Sequence, residues 1–188
     1  MNNTIIYLIG HYGVGKLTIA RAIAEATRAR VFDNHLANNV VFSLIREDGK
    51  APIPAQAWEL IMTIRRQALI AMAEIAPPDA SFVLTNALME DDPMDHTAFA
   101  EVVAVAQQRN ATFVPVLLTA SDAAHDARIP SADREARLKM TDASGARSVR
   151  TKRRILGVRH PNRFELDTTD ISPEVAARLI IEHAEHLA

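Results

Sequence analysis

Residues 10–18 read GHYGVGKLT, with an apolar run at 5–9 before them and a helix-compatible stretch at 19–27 behind. A buried strand that ends in a glycine-rich turn and passes straight into a helix leaves the first N–H groups of that helix without intrahelical partners, converging on one point. Such a point binds an anion. The spacing is GxxxxGK with a third glycine inside it. Gly10, Gly13 and Gly15, with Val14 between them, let the backbone approach phosphate oxygens, and Lys16 reaches the outer phosphates of a nucleotide. Leu17 stands where the pattern places a Ser or Thr that ligates magnesium, and Thr18 comes one residue late. Two readings of Leu17 stay open. Either the metal is held by water, phosphate oxygens and a carboxylate such as Asp33, or the site binds nucleotide without efficient chemistry. Losing one charge-assisted contact costs about 1.5–3 kcal/mol, which slows an enzyme more readily than it silences it.

Outward from this loop, short apolar β-rich segments alternate with helical ones. Strands are expected at residues 4–9, 31–33, 81–87, 112–119 and 164–167, the fourth carrying Pro115, which is hard to place inside a ladder. Helices are expected from the loop to about residue 28, then over 37–45, 54–75, 95–109 and 121–128. Basic helical segments follow at 134–140 and 145–156, and a last helix begins at Ser172 and runs to 186. Pro54 suits the start of its helix, because it lacks the N–H that would go unpaired there, and Pro77 and Pro78 end that helix. This alternation predicts an α/β fold with right-handed crossovers and a parallel sheet covered on both faces. Ligands on such sheets bind beyond the carboxyl ends of the strands. The phosphate loop, the turn at Asp33, Asn86, the end of the fourth strand and the loop after Asp167 are therefore expected to meet.

The 188 residues suit one domain, 1–188, and the formal net charge of −2 gives no reason to expect a nucleic-acid or membrane partner. The absence of cysteine excludes disulfides and thiolate metal sites. No basic, apolar leader opens the chain, so a cytoplasmic protein is expected. Basic side chains concentrate between Arg128 and Arg159.

With these residues in view, the chain resembles the P-loop kinases of small molecules and nucleotides, such as shikimate, gluconate and adenylate kinases. The residues that carry the resemblance are the loop, the polar end of the second strand, RIPSADREARLK at 128–139 and LDTTDISPEVA at 166–176. It is most similar to a branch often called AAA-family ATPases, with GKLT at 15–18 and NHL at 34–36. The resemblance implies a three-layer sandwich with a five-stranded sheet in the order 2-3-1-4-5, and a helical lid at about 128–145. It also implies ATP and Mg2+ as cofactors and a small-molecule or nucleotide acceptor.

The resemblance also implies roles for individual residues. Asp33 would accept the proton of the attacking hydroxyl or hold metal-bound water, with His35 beside it contacting the acceptor or serving as the alternative base. Arg128 would lie by the adenine and Arg134 would point to the transferred phosphate, where a guanidinium stabilises spreading charge. Arg137 is assigned to the acceptor, and Lys139 belongs to the same lid. Arg65 falls about where shikimate kinase places an arginine for its substrate carboxylate. Asn86 stands where many P-loop proteins carry a metal-organising Asp and, being an amide, takes no proton at neutral pH. The function expected is ATP-dependent phosphoryl transfer to a small acceptor. The alternative is a nucleotide-binding module with weakened catalysis, and a regulatory GTPase is disfavoured because no NKxD motif occurs.

Overall fold

A computed structural model describes residues 1–45, 53–130, 138–139 and 141–187. The strand that leads into the phosphate loop, β1 (Thr4–Ile9), is buried along its whole length. Its alternating side chains need a covering layer on each face. Ile5, Tyr7 and Ile9 enter one core, while Ile6 and Leu8 enter another on the opposite side.

The elements follow in the order β1, α1 (Lys16–Thr27), β2 (Arg30–Asp33), α2 (His35–Ile45), α3 (Ala55–Ile70), β3 (Phe82–Asn86), α4 (Pro93–Gln108), β4 (Thr112–Thr119), α5 (Asp122–Arg128), α6 (Ala143–Lys152), β5 (Phe164–Asp167) and α7 (Pro173–Glu185). The sheet order is β2-β3-β1-β4-β5, and every neighbouring pair is parallel. Leu69 and Met72, with Val102 and Val105 of α4, cover the first face. Ile19, Ala20 and Ile23 of α1 and Ala177 and Ile180 of α7 cover the second. A smaller cluster of Val41, Phe42, Ala57 and Ile61 joins α2 to α3. The result is the three-layer α/β sandwich with the expected strand order.

Pro115 sits inside β4, opposite Tyr7 of β1. The Thr112 N–H donates to Asn3 of the chain leading into β1. Alternation along the strand therefore turns the N–H groups of even-numbered residues toward β1 and the proline nitrogen the other way. Pairing with β5 starts only at Val116, so no ladder bond is lost.

The helix expected over 54–75 is continued beyond α3 by a π-helical turn at Ala71–Ile75, and the helices of the basic region depart most from expectation. The second basic segment runs Ala143–Lys152, because the Asp142 carboxylate caps it by accepting from the N–H groups of Ser144 and Gly145. It ends early because residues 153–156 are extended beside Leu88 and Glu90, with Glu90 N–H donating to Arg154 and Leu156 N–H to Leu88. The helix expected over 134–140 falls mostly outside the described residues. Where it is described it is not formed: Leu138 has φ 52°, a left-handed conformation that a right-handed helix does not accommodate.

Candidate active site

The carboxyl ends of β1, β2 and β3 open on a cleft of about 530 Å³. Its floor is the phosphate loop. Gly13 and Gly15 both have φ 89°, which an L side chain rarely adopts. A Cβ on Gly10 would lie 2.5 Å from the Leu118 carbonyl oxygen, so the loop leaves β1 in close contact with β4. The N-terminus of α1 has no side-chain cap and no acidic residue in its first turn. Lys16 curls back over the loop, its Nζ donating to the carbonyls of Gly10 at 2.6 Å and His11 at 2.8 Å. This places a cation over a concavity of backbone dipoles, the electrostatics a polyphosphate needs.

The loop is held from behind. His125 of α5 is 2% exposed and lies beneath Gly13. Its Nδ1 is 2.6 Å from the Tyr12 carbonyl oxygen. A carbonyl only accepts, so Nδ1 carries the proton. Burial lowers the His125 pKa, with the Tyr12 bond opposing and the charges of Arg150 and Lys16 adding to the fall. His11 is pushed down to about 4 by burial and by Lys16, His125 and Arg150. Both imidazoles are therefore neutral at pH 7. On the other side Thr168 Oγ1 lies 3.0 Å from the Val14 carbonyl, and Arg128 donates to Thr168 Oγ1 and to the carbonyls of Thr168 and Thr169.

Asp33, at the end of β2, faces the loop across the cleft and is 8% exposed. Thr85 donates its hydroxyl to Oδ1, and Lys139 donates Nζ to Oδ2 at 2.8 Å. Burial alone would raise the Asp33 pKa, but the Lys139 charge and both hydrogen bonds outweigh it and hold the carboxyl below its usual range. Beside it, Asn34 donates to Asn86 Oδ1 at 3.0 Å, and His35 Nδ1 lies 3.4 Å from Asn39 Oδ1.

Gly13, Val14, Gly15, Lys16, Leu17, Thr18, Asp33, His35 and Arg128 thus line one cleft, with Gly10 at its root. Arg65 does not line it. That side chain is 4% exposed and donates Nη2 to the Tyr7 hydroxyl at 2.8 Å, which in turn lies 3.3 Å from Asn86 Nδ2. Arg134 and Arg137 lie outside the described residues. Among the described residues, the side chains at the cleft do not fit a protein-held magnesium. Leu17 has no ligand atom, Asn86 is engaged by Asn34, Tyr7 and the Ala87 N–H, and Asp33 is paired with Lys139. Among the described residues no cluster of three or more His, Cys, Asp or Glu side chains could hold a metal. The residues that sequence reasoning passed over are His125, Thr85, Tyr7 and Thr168. Thr168 lies within the quoted LDTTDISPEVA stretch but His125, Thr85 and Tyr7 lie in no motif, and each of the four acts through a partner far away in the chain.

No family model and no curated protein matches the sequence. Solved structures do match its fold. A protein described as a kinase from Chloroflexus aurantiacus aligns over 97% of this chain and 99% of its own with a TM-score of 0.64 and 17% identity. A gluconokinase from Sinorhizobium meliloti covers 99% and 94% with a TM-score of 0.62 and 12% identity. An APS kinase from Mycobacterium tuberculosis, in complex with AMPPNP and APS, covers 98% of each chain with a TM-score of 0.61 and 15% identity. The chain has the P-loop kinase fold. In the P-loop kinase fold of this chain, the cleft lies where the strand order reverses, between β1 and its neighbours. Its floor is the loop of residues 10–18 and its wall is the end of β2.

Proposed function

We propose that the protein is an ATP-dependent phosphotransferase that moves the γ-phosphoryl group to a hydroxyl or phosphate of a small acceptor. The observation that carries this reading is the ionised Asp33 carboxylate facing the Lys16 phosphate loop across one cleft. The AMPPNP held by the APS kinase of the same fold adds support for an adenine nucleotide. In this reading the loop N–H groups and Lys16 hold the β- and γ-phosphates, and Arg128 lies on the adenine side. The acceptor oxygen forms its bond to the γ-phosphorus as the bridging bond to ADP breaks, and its proton passes to Asp33. Because the transition state is loose, a carboxylate with a lowered pKa orients the hydroxyl and takes the proton late. Arg134 is assigned to the transferred phosphoryl group, and His35 and Arg137 to the acceptor. Arg65 acts on the acceptor side through Tyr7, Asn86 and Asn34.

Turnover of ATP with a panel of small alcohols, sugars, nucleosides and nucleotides tests the proposal. One acceptor should stimulate ADP release, Lys16→Ala should abolish both binding and turnover, and Asp33→Asn should abolish turnover on every acceptor. The second reading, a binding module with weakened catalysis, is favoured by Leu17 and by the pairing of Asp33 with Lys139. ATP binding without turnover on any acceptor would select it.

A further inference from the structure

Among the described residues, the cleft lacks the side chains that ordinarily organise a metal at a phosphate loop, and Lys139 stands in their neighbourhood. In P-loop enzymes the metal is kept by a hydroxyl directly after the lysine and by an acid on a nearby strand. Here Leu17 replaces the hydroxyl, Thr18 is exposed, and Asn86 is a neutral amide already engaged by its neighbours. Asp33 is the one described carboxylate that lines the cleft. Lys139 Nζ occupies it at 2.8 Å, and the two side chains are only 10% and 12% exposed.

An ion pair so shielded from water interacts several times more strongly than one at the surface. Thr85 holds the other carboxylate oxygen, so Asp33 is fixed from both sides. An ammonium carries three N–H donors, and can grip a carboxylate and a phosphate oxygen together. Lys16 approaches the same space from the loop.

We propose that Lys139, seated on Asp33, is a second nucleotide-binding cation that takes over the charge neutralisation a bound magnesium would supply, so that ATP binding by this chain depends on Lys139 rather than on the metal. This rests on the cleft being an ATP site. Asp33 in this arrangement is the seat of an ammonium and not a metal ligand.

Calorimetric titration with ATP, in EDTA and in millimolar magnesium, tests the proposal on the wild type, Lys139→Met and Lys139→Arg. Wild-type affinity should differ by less than about threefold between the two conditions. Lys139→Met should bind ATP at least about tenfold more weakly in EDTA and regain affinity with magnesium, because the released Asp33 carboxylate becomes available to it. Lys139→Arg, which keeps the charge, should stay near wild type in EDTA. Wild-type affinity that rises about tenfold or more with magnesium, or Lys139→Met binding metal-free ATP as well as wild type, overturns the role of Lys139 and leaves the ATP site standing. Failure of the wild type to bind ATP under either condition overturns both.

Discussion

Replacing His125 by alanine removes a side chain that does not line the cleft yet sets the shape of the phosphate loop. The imidazole is 2% exposed, donates Nδ1–H to Tyr12 and packs under Gly13, whose φ is 89°. Loss of the buried hydrogen bond costs about 1–2 kcal/mol, since the carbonyl is deprived of a donor. The void left by the ring adds about 1–2 kcal/mol. Together these amount to about 3 kcal/mol of folding stability, or about 6–12 °C in melting temperature for a chain of this length. Asparagine places an amide N–H near the position of Nδ1 and fills part of the space. His125→Asn is therefore expected to recover about half of the loss. Urea unfolding of the wild type and both variants measures the stabilities, and ATP titration of the folded proteins measures the loop. His125→Ala should also weaken ATP binding by about tenfold, because a loop peptide free to rotate no longer presents its N–H groups together. A loss of stability below about 1 kcal/mol, or an asparagine variant no better than alanine, would refute the anchoring role.

Two further outcomes are expected. Gly10→Ala should be more damaging than an ordinary glycine change, about 2–3 kcal/mol, because the new Cβ would lie 2.5 Å from the Leu118 backbone oxygen and the two strands cannot separate cheaply; wild-type stability in urea would contradict the close approach. His11 titrates near 6.5 when unfolded but at about 4 in the fold. The unfolded chain thus takes up the proton first, so stability is full above pH 6.5 and falls toward pH 4, with His125 pulling the same way. His11→Asn should flatten that slope by up to about one proton. Stability profiles of variant and wild type that fall in parallel between those pH values would show that His11 is not depressed.

Much of the molecule is legible before any coordinate is known. GHYGVGKLT states its strand, turn and helix locally, because a positive φ, a missing cap and a lysine at fixed spacing are properties of neighbouring residues. The period of the apolar segments is likewise enough to imply a parallel sheet covered on both faces. The strand order 2-3-1-4-5 came from resemblance, and the coordinates bear it out. Local spacing did not determine how Pro115 fits. Its ring is tolerable only because β5 begins pairing one residue later, a fact of register between strands about fifty residues apart.

The same limit governs the site. Asp33 and Lys16 could be named from the chain, but the ammonium that sits on Asp33 comes from Lys139, 106 positions away. The support of the loop comes from His125 and Thr168, 113 and 154 positions from the carbonyls they meet. Leu17 by itself said that a metal ligand was missing. Only the tertiary structure shows which cation stands beside the carboxylate instead, because a buried charge takes its partner from whatever the fold brings near, and spacing along the chain carries no record of that choice.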